Sequence, residues 1–88
     1  MNNYQYITSG TCSKLITLVI DDEDRVQECN FLGGCNGNLR GIGRLVKGER
    51  AQDIIKKLKG ISCNGKPTSC PDQLAQALQS YLAQKQNL

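Results

Sequence analysis

The stretch that decides the fold reads Cys63-Asn64-Gly65-Lys66-Pro67-Thr68-Ser69-Cys70-Pro71-Asp72-Gln73-Leu74-Ala75, a loop with two cysteines that runs directly into an amphipathic helix. Ser69 stands three residues before Asp72, which is the spacing of a capping box, and Pro71 suits the first turn of a helix. Cys70 is therefore predicted at the helix N-terminus or within one residue of it. The unpaired N–H groups there favour a negative charge by about 0.3–1 kcal/mol, which lowers a thiol pKa by less than one unit. Complete ionisation at neutral pH would need a metal or another cation.

The length of the chain allows one domain with a modest core. We place a single domain over residues 1–88, with its ordered core at about residues 4–83. The chain begins with polar residues in place of a signal peptide, and its longest aliphatic run, Leu15 to Ile20, is too short to span a bilayer. We therefore expect a cytoplasmic protein with no membrane partner.

Cysteine and histidine usage narrows the chemistry. The chain has five cysteines and no histidine. An odd number of cysteines without an export signal favours metal or redox chemistry over disulfides. The lack of histidine excludes Ser-His and Cys-His nucleophile pairs as well as zinc sites with imidazole ligands. A metal site would have to be built on sulfur, with help from carboxylates or amides.

The net charge of +3 conceals a basic middle region. No aromatic residue is interleaved with these charges, so the stacking platform of a single-strand binder is missing and we expect no nucleic acid partner. A solvated helical face is the favoured interpretation. The alternative is a phosphate- or nucleotide-binding regulatory domain that uses the N–H groups of Gly34 to Asn38 with Arg40 and Arg44, although the lysine and hydroxyl pattern of a P-loop is absent. The basic residues of this middle region are Arg40, Arg44, Lys47, Arg50, Lys56, Lys57, Lys59 and Lys66.

Three strands are predicted in the first third of the chain. Period-two alternation indicates an opening strand around Tyr4 to Thr8, which Gly10 ends, and a second strand from Ser13 to Ile20. Apolar residues lie on both faces of the second strand, which predicts a central strand covered on much of both sides. Asp21 to Asp24 forms an acidic turn, and Arg25 to Leu32 returns as the third strand of an antiparallel meander.

Three helices are predicted after the meander, each with a stripe of apolar residues. The stripes run from Leu39 to Val46, from Ala51 to Leu58 and from Leu74 to Leu82. Gly41 and Gly43 lie inside the first helix, where glycine costs about 1 kcal/mol relative to alanine, and this suggests close contact with a neighbouring backbone. The fold class is therefore α+β: a three-stranded antiparallel meander followed by three helices packed on one face.

Four cysteines stand in loops or at helix starts. Loops at the ends of strands can converge at one end of a meander, as a tetrathiolate metal site requires. Cys29 differs because it lies inside a strand, and we interpret it as a small buried hydrophobe. Spacing alone leaves buried or inert thiols as the alternative, because no pair has the tight two-residue separation of a zinc knuckle. The four candidates are Cys12, Cys35, Cys63 and Cys70.

Several of these segments resemble one known family. Cys12-Ser13, Gly33-Gly34-Cys35-Asn36-Gly37-Asn38 with Gly41-Ile42, Gly60-Ile61-Ser62-Cys63, and Thr68 to Ala75 are similar to the TSCPD-domain family, which is named for the pentapeptide at Thr68–Asp72. Members of that family occur as small stand-alone proteins and as a C-terminal appendage of ribonucleotide reductases, chiefly cobalamin-dependent ones. The resemblance implies that the family cysteines are Cys12, Cys35, Cys63 and Cys70, and that Cys29 is not one of them.

A fainter resemblance runs to the NifU-type (NifU/IscU-like) iron–sulfur scaffold fold. Cys12, Cys35 and Cys70 occupy places that correspond to its cysteines, and Phe31-Leu32-Gly33-Gly34-Cys35 resembles the middle one. Ser69 stands where that family usually has histidine, and Ser13-Lys14 replaces its acidic residue after the first cysteine. The resemblance therefore implies the fold and a thiolate site rather than cluster assembly and transfer.

Two functions follow from the cysteines together with the resemblance. In the first, Cys12, Cys35, Cys63 and Cys70 hold zinc or an iron–sulfur cluster in an accessory module, with a ribonucleotide reductase or another redox enzyme as partner. In the second, two thiols form a dithiol that passes electrons to a reductase, with Cys70 as the attacking thiol. Ribonucleotide reduction by this chain alone is not expected, because 88 residues leave no room for a radical site, a nucleotide pocket and a cysteine relay. Stand-alone members of the family commonly carry a ribonucleoside-diphosphate reductase name. For this chain such a name would be inherited from the reductases to which the same domain is appended.

Overall fold

The computed structural model describes residues 1–11, 13–34, 36–62 and 67–86. In this part of the chain three strands precede three helices, which confirms the predicted α+β architecture. The strands form one antiparallel sheet in the order β1-β2-β3. Regular structure extends beyond residues 4–83 at both ends. The elements are β1 (Asn2–Ile7), β2 (Ser13–Ile20), β3 (Val26–Gly33), α1 (Asn36–Val46), α2 (Ala51–Leu58) and α3 (Cys70–Gln86).

The core lies between one face of the sheet and the helices. Ile16, Leu18 and Ile20 of β2 alternate along the strand and are fully or almost fully buried against apolar residues such as Leu74 and Leu78 of α3. On the other face, residues 15, 17 and 19 are half-buried between polar and exposed side chains of β1 and β3. The prediction that β2 is covered on much of both sides is therefore confirmed for the face that packs against the helices, whereas the opposite face is only half-covered.

A bulge in β3 aligns its apolar residues with the core. Val19 pairs with Glu28 and Ile20 pairs with Val26, so Gln27 is an extra residue in the ladder. Val26 and Cys29 are three positions apart, yet both side chains are buried in the core because the bulge shifts the alternation. Cys29 is 8% exposed, and burial raises the pKa of its thiol to about 12. This confirms the interpretation of Cys29 as a buried hydrophobic residue.

The acidic turn between β2 and β3 holds the start of α2. The Asp21 carboxylate accepts hydrogen bonds from the backbone N–H groups of Glu23 at 2.9 Å and Arg25 at 3.0 Å. Asp24 has φ of 61°, a left-handed conformation that a short polar residue tolerates in a turn. Its carbonyl accepts the N–H of Ala51 at 2.8 Å, so the turn fixes the first residue of α2.

The first helix packs closely against β3. A Cβ atom on Gly43 would lie 2.6 Å from the carbonyl oxygen of Cys29, which confirms the predicted close backbone contact at this glycine. The same prediction for Gly41 is wrong for the described part of the chain, because beyond the helix's own backbone a Cβ there would have none of the described heavy atoms within 4 Å. Leu39 and Val46 are buried, whereas Leu45 is 79% exposed. Among the described residues, no helix combines the length and the apolar character needed to cross a membrane.

Candidate functional site

The candidate site is built on the N-terminus of α3. Ser69 is the N-cap residue, because its Oγ accepts the backbone N–H of Asp72 at 3.2 Å and its carbonyl accepts the N–H of Gln73 at 2.8 Å. Cys70 is the first helical residue and Pro71 the second. The predicted cap and the predicted position of Cys70 are both confirmed. The Cys70 side chain is only 8% exposed.

The carboxylate of Asp72 joins three parts of the chain. Its Oδ1 accepts the N–H of Gly60 at 2.7 Å, just beyond the end of α2. Its Oδ2 accepts the hydroxyl of Thr68 at 2.5 Å and the amide of Gln76 at 2.8 Å. The Thr68 hydroxyl, followed by Gly60 N–H and Gln76, holds the pKa of Asp72 below its usual value despite burial. The second half of a capping box is therefore absent, because Asp72 bonds these groups rather than the Ser69 N–H.

Gln73 extends this network to the connection between β1 and β2. Its amide nitrogen donates to Thr68 Oγ1 at 3.0 Å, and its oxygen accepts the backbone N–H of Ser9 at 3.1 Å. Thr68 is also in contact with Gly10, where a Cβ atom would lie 3.0 Å from the Thr68 methyl group. Among the described residues, every buried side-chain nitrogen or oxygen has a hydrogen-bond partner. The polar residues around Cys70 thus form a satisfied network that fixes the helix start.

One hydroxyl group, that of Ser13, lies beside the sulfur of Cys70. Ser13 is 3% exposed, and its Oγ lies 3.3 Å from Cys70 Sγ, with either atom able to donate. The Thr11 hydroxyl lies 3.1 Å from the same Ser13 Oγ. A hydroxyl at this position can donate a hydrogen bond to a thiolate, so the arrangement is compatible with a negatively charged sulfur.

The other three candidate ligands, Cys12, Cys35 and Cys63, lie outside the described residues. Their described neighbours meet near the start of α3. Ser13, which follows Cys12, contacts Cys70 and is paired with Gly33, which precedes Cys35 by two positions. Ile61, two positions before Cys63, accepts the Ser69 hydroxyl at 2.6 Å. Within the part of the chain that the structure describes, no three His, Cys, Asp or Glu side chains form a group that could hold a metal.

Comparison of the sequence with known protein families identifies the family to which the chain belongs. The sequence profile of the TSCPD domain matches residues 1–82. The chain belongs to the TSCPD domain family. No curated protein and no solved structure gives a significant match, so the likeness to the NifU-type scaffold fold stays a prediction.

The pentapeptide of this TSCPD domain has a structural role that its sequence only partly indicates. Ser69 and Pro71 were expected at a helix start. Asp72 and Gln73 instead bond Gly60 and Ser9, which are distant in sequence, and the Thr68 hydroxyl bonds the side chains of Asp72 and Gln73. Sequence reasoning missed Gln73 and Ser13 as parts of the site. Their adjacency to the pentapeptide and to Cys12 is the signal that could have found them.

The basic residues of the TSCPD domain lie on a different part of the surface. Arg40 and Arg44 lie one helical turn apart on α1, and together with Lys47, just after the helix, they line a groove of about 300 Å³ against β3. Glu28 and Asn30 are on its opposite wall. All three cations are exposed. The Gly34 to Asn38 stretch proposed to assist them contains Cys35, which is outside the described residues.

Proposed function

We propose that this TSCPD domain is a cysteine-based metal-binding accessory module, with Cys12, Cys35, Cys63 and Cys70 holding zinc or an iron–sulfur cluster. One observation supports it above the others: Ser13 and Ile61, which lie near Cys12 and Cys63 in sequence, contact Cys70 and Ser69 at the start of α3, and Gly33, near Cys35, pairs with Ser13. Four sulfur donors suit both zinc and iron–sulfur chemistry, and the lack of histidine leaves sulfur as the main ligand type.

The residues around Cys70 would favour its ligand form. A metal ligand must be the deprotonated thiolate, and the positive end of the α3 macrodipole favours a negative charge at Cys70 by about 0.3–1 kcal/mol. The Ser13 hydroxyl can donate to the same sulfur from 3.3 Å. Asp72 is occupied by three donors, so it acts as a support for the site rather than as a ligand.

Metal analysis tests this proposal. Protein purified without air should contain close to one zinc, or iron with acid-labile sulfide, per chain. Cys70→Ser should lose most of the metal because it removes a ligand. Cys29→Ala is the matched control and should retain it, since Cys29 is buried in the core on β3. Wild-type protein with neither zinc nor iron, or a Cys70→Ser variant with full occupancy, would contradict the proposal.

A dithiol redox role is the second candidate, and the burial of Cys70 argues against it. Thiol–disulfide exchange requires the attacking sulfur to be accessible, whereas Cys70 is 8% exposed. The decisive assay is turnover of a ribonucleotide reductase with this domain as the electron donor. Turnover that depends on Cys70 in metal-free protein would favour the redox role over metal binding.

The basic groove supports a third candidate, a phosphate- or nucleotide-binding regulatory domain. Arg40, Arg44 and Lys47 offer positive charge along one wall, but Glu28 on the other wall opposes an anion. A rise in melting temperature with a nucleoside diphosphate that disappears in Arg44→Gln would support this function. An unchanged melting temperature would remove it.

We propose a ribonucleotide reductase, or another redox enzyme, as the partner of the module, acting in the cytoplasm and in DNA synthesis. The support comes from the family alone, whose members also occur as an appendage of such reductases. Adding the metal-loaded domain to a reductase that lacks its own TSCPD appendage should change turnover. Unchanged reductase turnover, together with sedimentation that shows no association of the domain with the reductase, would contradict this partner.

A further inference from the structure

The two outer edges of the sheet differ in how far other segments of the chain cover them. The outer edge of β3 is covered by other parts of the same molecule. Gly43 of α1 lies against the carbonyl of Cys29, and the N–H and C=O of Val26 bond to Glu49 at 3.0 Å and Gly48 at 2.7 Å. The main chain of this edge is therefore occupied at Val26 and approached closely at Cys29, which obstructs the addition of another strand there.

The outer edge of β1 has no such cover in the described structure. The N–H of Thr8 donates to the carbonyl oxygen of Lys14 at 3.2 Å. This bond shows that the even-numbered residues of this segment direct their backbone N–H and C=O groups toward β2. Hydrogen-bonding direction alternates along an antiparallel strand, so Asn3, Gln5 and Ile7 direct their N–H and C=O groups outward. Within the described residues, no hydrogen bond reaches these outward groups. All three residues are exposed, and Ile7 is 81% exposed.

The sequence of β1 also lacks the usual protection of an exposed edge. Natural edge strands are commonly blunted by charged residues, proline or a bulge. Asn2–Ile7 contains no charged residue and no proline, and its register with β2 runs without interruption. An uncharged, regular strand of six residues with free backbone groups is suited to accept another strand.

We propose that β1 pairs antiparallel with β1 of a second copy of this chain, across a two-fold axis near Gln5. In this register Gln5 faces its own counterpart, and Asn3 of each copy faces Ile7 of the other. The outward backbone groups of both strands then bond to each other, which is the self-complementary arrangement of a two-fold interface. The product is a six-stranded sheet in the order β3-β2-β1-β1-β2-β3.

The second copy fits this edge better than a foreign segment does. Pairing two β1 strands removes both unprotected edges at once, and the remaining edges are the covered β3 strands. A foreign strand would leave its own outer edge exposed. The edge also offers no charged side chain that could select a foreign partner, and its neutrality lets two molecules of net charge +3 meet without local repulsion.

Sedimentation velocity over a range of protein concentrations tests this interface. Wild-type protein should sediment as a dimer in reversible equilibrium with monomer. Ile7→Lys places a charge beside the paired strand and should weaken the dimer at least about tenfold, which corresponds to about 1.4 kcal/mol. Leu45→Lys is the matched control: Leu45 is 79% exposed on α1, so this variant should dimerise as the wild type does.

A backbone variant gives an independent readout. Gln5→Pro removes an outward N–H that the two-fold axis uses twice, so it should abolish the dimer while circular dichroism remains native; Gln5→Ala keeps the N–H and should keep the dimer. Wild-type protein that stays monomeric at its highest soluble concentration would overturn the proposal. A dimer that survives both Ile7→Lys and Gln5→Pro would overturn it too. The interface does not rest on metal binding, so the outcome is separate from that of the metal analysis.

Discussion

At the scale of single residues, Asp72 connects segments that are distant in sequence. Its carboxylate bonds Gly60 after α2, Thr68 before α3 and Gln76 within α3. A buried carboxylate with three donors is costly to alter, because each donor loses a charge-assisted hydrogen bond. Asp72 therefore ties Gly60 and Thr68 to the first turn of α3, where Cys70 lies beside Ser13.

Asp72→Asn should lower the free energy of unfolding by about 1–3 kcal/mol at neutral pH, since an amide cannot accept all three hydrogen bonds. Urea denaturation measures this change. Asp22→Asn is the control, because Asp22 is exposed and should change stability little.

The same pair of proteins has a defined pH dependence. The pKa of Asp72 is lowered in the folded protein from the ordinary value of 3.8, so its ionised form stabilises the fold above that pH. The stability difference between wild type and Asp72→Asn should shrink as the pH falls below about 3.8 through the lower folded pKa. A difference that stays constant or grows on acidification would show that the carboxylate charge is not responsible.

At the scale of the elements, α1 rests on β3 through a glycine. Gly43→Ala would place a Cβ 2.6 Å from the Cys29 carbonyl oxygen, which belongs to the backbone and cannot move away without shifting the strand. We expect a loss of about 1–3 kcal/mol in the free energy of unfolding.

Gly41→Ala is the control in the same helix. Among the residues that the structure describes, its Cβ would meet no atom of another element within 4 Å, so the gain in helix propensity should stabilise the protein by up to about 1 kcal/mol. Thermal and urea unfolding of the two variants should move in opposite directions. Equal effects of the two substitutions would contradict the packing of α1 on β3.

Local sequence signals predicted the order of the elements and the cap of α3, because alternation, helical spacing and the Ser69–Asp72 spacing depend on nearby residues. Contacts between distant segments were not predictable in this way. Gly41 and Gly43 give the same local signal, and only the path of α1 past Cys29 distinguishes them. The partners of Asp72 and Gln73 likewise depend on where the tertiary fold places Gly60 and Ser9. The candidate ligand Cys70 was found from sequence, but its contact with Ser13 spans 57 positions.

At the scale of the whole molecule, metal binding and folding should be coupled. The domain has 88 residues and a single small core, so the total stability of the metal-bound protein is expected near the lower end of about 5–15 kcal/mol. Structural zinc in a sulfur site can contribute about 10–16 kcal/mol of apparent binding energy. Chelation under reducing conditions should therefore unfold the protein cooperatively, as followed by circular dichroism, and metal should restore the fold.

In the proposed metal site, sulfurs far apart in the sequence gather at the start of α3, and X-ray absorption at the zinc or iron edge of the purified protein measures whether they do. We expect a shell of sulfur neighbours at about 2.3 Å, close to four for zinc, with one sulfur fewer around the metal that Cys70→Ser retains. A shell of nitrogen or oxygen, or a sulfur shell unchanged in Cys70→Ser, would contradict it.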